Sequence, residues 1–370
     1  MQGGNLQSLR RHNRSTVLAS LQRAGHALPL TAIKMQTGLS RPTIESMLRI
    51  LTDEGLVTEA GTREVPNRTQ GGRPARLFAF NPSAGTLAAI VIGLDDVQVA
   101  VSDLSGTLLG WRTIAVSEGE SRQEIALTRL RALMRALDLE WESIRSVTIG
   151  IMGVHTTTGT ILRNVSLPEV SEKNYFDEYK KAFYAPIHFV NDGYLAALAQ
   201  FDELCDPQAT HSMIGLHATT AIGCGILING QLFQGFSGAA AEMGFDESLG
   251  WTTADRMIRQ MVAKHQVQPA TLFKRAGEGD PEYQQFARDF ITTAMPGIRA
   301  LNLALDPQVF TIGGAITQAA SVISPILTES LAVMPSGGPE IRFSSLGEEA
   351  IVTGALRHGV RDIEGALEAR

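Results

Sequence analysis

The chain has 370 residues, 44% hydrophobic and 19% charged, with a formal net charge of −6 and two cysteines. This length predicts two or three folded units with a large buried core. The longest apolar run, near Leu87–Ile92, is far too short to span a bilayer. The polar, arginine-rich N-terminus lacks the apolar segment of a signal peptide. Cys205 and Cys224 stand in no metal-ligand spacing, and the eight histidines show none either, with His211, His217 and Cys224 the nearest approach to a cluster. No metal is expected, and a reduced, cytoplasmic setting fits.

Charge is uneven. Residues 1–80 carry eleven Lys/Arg against five Asp/Glu, a balance of +6, whereas residues 81–370 carry 21 against 33, a balance of −12. A basic first fifth on an acidic body suits a phosphate-contacting module at one end of the molecule.

In chain order, the first predicted element is a helix around Arg10–Ala24 with Val17, Leu18 and Leu21 on its apolar face, which leaves Arg10, Arg11 and Arg14 free for phosphates. Leu30–Thr37 predicts a short helix that Gly38 breaks. Ser40 is a good N-cap for the next helix and Pro42 is tolerated in its first turn. In that helix Leu39, Ile44, Leu48 and Leu51 fall at inward spacing, while Ser40, Arg41, Pro42, Thr43, Glu45, Ser46 and Arg49 are left to meet DNA. Two short helices around a glycine turn, the second polar, form a helix-turn-helix with a recognition helix. Leu56–Glu59 and Gly71–Phe80 predict two strands of a wing, with a loose polar stretch from Gly61 to Gln70. Arg68, Arg73 and Arg76 flank or sit on that wing, where they either approach a minor groove or serve as a solvated linker.

Beyond residue 80 an internal repeat emerges. Leu87–Gly110 holds an apolar strand, an alternating strand, a turn and a third short strand, and Met213–Gly235 repeats this plan about 124 residues later. Between them lie a helix over Ser121–Leu137, a strand over Ser146–Ile151, a helix near Tyr175–Phe183, a strand over Ile187–Val190 and a helix over Leu195–Phe201. The pattern implies two similar α/β lobes with a cleft between them, divided at about 81–200 and 201–370. The stretch Ser321–Met334 reads as core or interface, with core favoured.

The phrases TGLSRPTIESMLRILTDEGLV, GGRPARLFAFNP, PIHFVNDGYLAAL, INGQLFQGFSGAAAEMGF and FTIGGAI, in that order, resemble the ROK family of repressors, open reading frames and kinases across nearly the whole chain. That resemblance implies a winged helix-turn-helix over residues 1–80. Residues 81–370 would then form an α/β domain of duplicated actin-like, sugar-kinase-type (ribonuclease H-like) lobes. It further implies a transcriptional repressor, active as a homodimer or homotetramer on a double-stranded DNA operator and controlled by a sugar or sugar phosphate.

Against the family's kinases, several positions depart. The first phosphate turn, Asp-x-Gly-Gly-Thr in the kinases, corresponds to Val91-Ile92-Gly93-Leu94-Asp95, which puts a carboxylate where a phosphate should sit. The second phosphate loop corresponds to Thr219–Gly225 and has lost two of its four glycines, so Cβ atoms stand where amides must approach phosphate. Gly313-Gly314 survives, as a phosphate turn or as a tight strand-to-helix turn. No kinase activity and no cofactor are expected.

The sugar side is better kept. Asn191 and Asp192, after an apolar strand, match the family's Asn-Asp, in which the aspartate is the kinases' base; here Asp192 is a ligand-binding group or a cap for the following helix. Glu242 matches a sugar-contacting glutamate, and Asn164 matches a sugar-contacting asparagine in a looser alignment. The family's next histidine is Phe245, and the zinc-binding cysteine segment is absent, residues 246–252 reading DESLGWT. A regulator that senses no ligand is therefore the rival expectation.

Overall fold

The computed structural model describes residues 3–63, 75–117, 119–155, 161–163, 167–171, 174–333 and 337–365. Among them no helix is long and apolar enough to cross a membrane.

The N-terminal unit comprises α1 (Gly3–Ala24), β1 (Leu28–Pro29), α2 (Leu30–Thr37), α3 (Arg41–Asp53), β2 (Val57–Arg63) and β3 (Ala75–Phe80). Val17, Leu18 and Leu21 of α1 are fully buried, with Ile33 of α2 and Ile44, Met47, Leu48 and Leu51 of α3. Gly38 ends α2 at φ 68°, and its amide donates to the Lys34 carbonyl; this left-handed geometry is one that a side chain would resist. Ser40 caps α3, its Oγ accepting from the Thr43 amide at 3.4 Å. The wing is wider than two strands, because β1 pairs with β3 through Leu28 opposite Phe78. A two-residue strand ending in proline has no periodicity to read. Strand β2 also runs to Arg63, into the stretch expected to be loose. Gly71–Pro74 and Glu64–Gln70 lie outside the described residues, and Arg68 and Arg73 with them.

The first lobe follows with β4 (Thr86–Ile92), β5 (Asp96–Asp103), β6 (Leu108–Ala115), α4 (Arg122–Ala136), β7 (Ile144–Ile151), β8 (Val154–His155), β9 (Ile161–Arg163), α5 (Asp177–Ala182) and β10 (Ile187–Asn191). The second contains α6 (Asp192–Leu204), β11 (Ser212–Ala218), β12 (Ile222–Ile228), β13 (Gln231–Leu232), α7 (Trp251–His265), α8 (Pro269–Gly277), α9 (Pro281–Leu305), β14 (Val309–Gly313), α10 (Ala320–Leu331) and β15 (Glu340–Phe343), and α11 (Ala350–Ile363) ends the fold. The two main sheets run β6-β5-β4-β7-β10 and β13-β12-β11-β14-β15. In each, a three-stranded antiparallel meander is extended by two parallel strands. The repeat expected from the sequence is thus present strand for strand. All seven residues of β4 are buried, as in a sheet covered on both faces.

The division at residue 200 does not describe the chain's path. Helix α6 packs on β11 and β12, while α11 crosses back to lie on β4 and β7 of the first lobe and against α6. The two helices cross so closely that a Cβ on Gly354 would stand 1.8 Å from the Leu195 carbonyl oxygen. Leu327 and Leu331 of α10 are buried in the second lobe's core, whereas Ile326 is half-buried and Val333 exposed, so the stretch is core on one face only. One buried cluster runs without a break from Val17, Ile44 and Leu51 through Phe78 to Leu87, Leu104, Val352 and Leu356. The buried core of the helix-turn-helix is therefore continuous with that of the first lobe.

Candidate functional site

Between the lobes lies a cavity of about 460 Å³. One of its ends is built where β10 turns into α6. Asn191 caps α6, its Oδ1 accepting from the Tyr194 amide at 3.0 Å, while Nδ2 donates to the Gly153 carbonyl at 2.9 Å and to Glu242 Oε1 at 3.0 Å. The cap of this helix is thus Asn191, and Asp192, its first helical residue, is left to face the cavity. The hydroxyl of Tyr194, two residues further along α6, points at the carbonyls of Gly238 (3.0 Å) and Ala240 (2.7 Å). Those contacts hold the loop that carries Glu242. Helix α6 thereby positions the whole Asn191–Asp192–Glu242 group, and the sequence reading missed Tyr194 because a tyrosine at helical spacing looks like core.

The electrostatics of this end follow from burial. Desolvation raises the Asp192 carboxyl to about 6. Glu242 is raised to about 7, by desolvation and then by the charge of Asp192. Neither has a cation partner within ion-pairing distance among the described residues. Two carboxyls so placed are poised to accept hydrogen bonds from ligand hydroxyls. Asn164 lies outside the described residues.

The other end is formed by Thr219, Thr220, Ala221, Ile222, Trp251, Asp255 and Arg259. Here the loop corresponding to a phosphate cradle is occupied from within. The Ile222 amide donates to Asp255 Oδ1 at 2.9 Å, and Thr219 Oγ1 accepts from the Ala315 amide at 3.1 Å. A Cβ at Gly314, which has φ +84°, would stand 2.6 Å from the Ala218 carbonyl oxygen, so this glycine serves a tight internal packing. Burial raises Asp255 to about 6, against the Ile222 bond and the charge of Arg259. Asp255 and Arg259 were not singled out from the sequence; the available signal was their i, i+4 spacing on an amphipathic helix. The Gly93–Asp95 turn does not line the cavity, and the carbonyls of Gly93 and Leu94 accept from Arg122 at 3.2 and 2.6 Å. Phe245 sits on the rim, about half exposed.

On the N-terminal unit, Ser40, Arg41, Pro42, Glu45 and Arg49 are exposed along one side of α3, with Thr43 and Ser46 half-buried. Arg41 pairs with Glu45 at 2.8 Å along the helix. Arg10 and Arg11 are exposed, but Arg14 is not free as expected: it pairs with Glu54 at 2.5 Å, joining α1 to the end of α3. Arg76 is engaged by Glu59 across the wing and stacks its guanidinium 5.2 Å from the Phe78 ring.

Comparison with known proteins agrees with this anatomy. Residues 87–247 match the model of the ROK family, and residues 15–61 match that of the IclR helix-turn-helix domain. The xylose repressor of Bacillus subtilis is 24% identical over 223 residues, covering 58% of this chain and 56% of that protein. The chain spans about half the length of the curated relatives it matches first. Among solved structures, a ROK family transcriptional regulator homologous to the Mlc protein of E. coli superposes with a TM-score of 0.75 at 19% identity, covering 97% of this chain and 98% of that one. A ROK family glucokinase from Streptomyces griseus, in complex with glucose and AMPPNP, superposes with a TM-score of 0.59 at 19% identity, covering 75% and 99%. The fold of these proteins is shared; the first covers the N-terminal unit as well.

Proposed function

The chain carries an IclR-type helix-turn-helix domain followed by a ROK family domain, and from that premise we propose that it is a cytoplasmic transcriptional repressor whose cavity binds a sugar without phosphorylating it. The observation that carries this reading is the contrast between the cavity's two ends. Asn191, Asp192 and Glu242 form an open hydrogen-bonding group, whereas the phosphate loop's Ile222 amide is taken by Asp255. A phosphoryl donor needs such amides free and an anion-accepting field around them. Asp192 then serves as a hydrogen-bond acceptor for a sugar hydroxyl rather than as a base.

The N-terminal unit reads DNA through α3, with Arg41 and Arg49 as the candidates for base-edge contacts and Arg10 and Arg11 for phosphates. We assign Arg68 and Arg73 to the adjacent groove, Arg76 to the same groove on exchanging Glu59 for a phosphate, and Asn164 to the sugar. Operator symmetry calls for a homodimer or a pair of dimers.

Coupling has a physical route in α11. Ile351 near its start lines the cavity. At its end Glu364 lies within reach of the charge of Arg23, and a Cβ on Gly365 would be 3.7 Å from Ser15 Cβ, both partners belonging to α1. Closure of the lobes on a ligand moves α11 and, with it, the spacing of two recognition helices. To take operator occupancy from 99:1 to 1:99 the ligand must favour the released state by about 5.5 kcal/mol.

The test is a thermal-shift panel of sugars, with ATP as control, followed by phosphorylation and DNA-binding assays on any hit. A sugar at 100 times its Kd should add about 2.7 kcal/mol of stability. Asp192→Ala and Glu242→Ala should each weaken the hit at least tenfold. Turnover of ATP with that sugar would overturn the claim of a non-phosphorylating site. Phe245, in place of the family's histidine, favours a second reading, a dimeric regulator that binds no sugar; equal affinity in wild type and both variants would select it.

A further inference from the structure

The cavity lining carries two groups of carboxyls: Asp192 with Glu242, and Asp255 with Arg259 one helical turn away. A volume of about 460 Å³ is that of a pocket for a drug-sized molecule, and one pyranose ring fills only part of it. The far end is polar and built. Asp255 is held in place by the Ile222 amide and keeps a second carboxylate oxygen, Arg259 supplies donors, and Thr220 adds a hydroxyl. On the same wall His217 is only 7% exposed, and its Nδ1 has no hydrogen-bond partner.

Charge decides what kind of group this end accepts. The described lining contains Asp192, Glu242, Glu247 and Asp255 against Arg259 alone, and burial keeps His217 neutral at pH 7 by lowering it to about 4. A phosphate or a carboxylate entering that field is repelled, and its natural partner, the loop amide at Ile222, is already engaged. Neutral hydroxyls suit the same groups, because they can donate to a carboxylate and accept from a guanidinium or an imidazole N–H.

Resting on the sugar-sensing reading above, we propose that the cavity is a two-subsite pocket: one ring binds at Asn191, Asp192 and Glu242, and a second uncharged sugar ring binds at Thr220, Asp255 and Arg259. The effector is then an unphosphorylated disaccharide.

Calorimetry on the full chain at pH 7.5 tests this with xylose against xylobiose, glucose against cellobiose and maltose, and glucose 6-phosphate as the anionic probe. The expected result is one disaccharide binding at least tenfold tighter than its own single ring, with glucose 6-phosphate weaker than glucose. Asp255→Ala should abolish that tenfold gain; Asp255→Asn, which keeps an acceptor for the Ile222 amide and so guards against a folding defect, should retain it. Asp192→Ala should weaken disaccharide and single ring alike. Equal affinity for one and two rings, a gain that survives Asp255→Ala, or tighter binding of glucose 6-phosphate would each overturn the second subsite, and the sugar site would still stand on Asp192→Ala. No binding by any probe, or binding that Asp192→Ala leaves unchanged, would remove the underlying reading and this proposal together.

Discussion

Asp192 and Glu242 sit in a desolvated pocket, where the charge of Asp192 also raises Glu242, and that leaves a mark on stability as well as on binding. Each carboxyl is raised in the folded protein, to about 7 and about 6, above its unfolded value. The folded state therefore holds more protons than the unfolded one in this range, and stability falls as pH climbs from about 4 to about 7. Glu242→Gln should flatten that part of the profile: its Tm at pH 7.5 relative to wild type should be higher than the same difference at pH 4.5. Thermal melts at the two pH values check this, and parallel profiles would mean that Glu242 is better hydrated than its surroundings suggest. The residue identities here were readable from one sequence, since Asn191-Asp192 after an apolar strand and Glu242 between small residues match known patterns. Their roles were not. That Asn191 caps the helix and clamps Glu242, and that Asp255 closes the phosphate loop, depend on residues 51 and 33 positions apart meeting in space.

Among the elements, α3 shows local chemistry and tertiary packing in agreement. Its cap, its first-turn proline and its buried stripe, Met47 excepted, were legible, and Ser40→Ala should cost about 1 kcal/mol of stability, read as a lower denaturation midpoint. Arg41→Ala and Arg49→Ala should each cost about 1–3 kcal/mol of operator affinity if the side chain reads a base edge. The exposed Arg41–Glu45 pair offers little resistance to such a switch, being worth a few tenths of a kcal/mol. Salt titrations of both variants separate base readout from phosphate contact, because loss of a phosphate contact alone flattens the salt slope. Element ends were harder to read. Helix α6 begins three residues before its apolar run at Leu195, because Asn191 provides the cap, and β1 is too short to carry a period.

For the molecule as a whole, the return of α11 to the first lobe could not be read from linear order, although the repeat and its strand sequence could. This helix is fastened on several sides. Arg361 donates to the Gly230 carbonyl at 2.7 Å and lies 3.6 Å from Asp202, while Arg357 donates to the Ser105 carbonyl at 3.1 Å. The hairpin turns of both lobes thus meet on α11, and the residues that follow it, Glu364 and Gly365, lie beside α1. Arg361→Ala should loosen this joint and reduce the change in operator affinity that a sugar produces, by more than it changes the affinity of the sugar itself. Equal operator response in wild type and variant would remove α11 from the route.

We infer that a sugar in the cavity controls DNA binding by the N-terminal unit. The most direct test is the affinity of the full chain for a DNA site selected from a random pool, measured with and without a sugar identified by thermal shift, in wild type and Asp192→Ala. Wild type should show a large change in operator affinity, and in the variant that response should shift to at least tenfold higher sugar concentration. An operator affinity that the bound sugar leaves unaltered in wild type would contradict this inference.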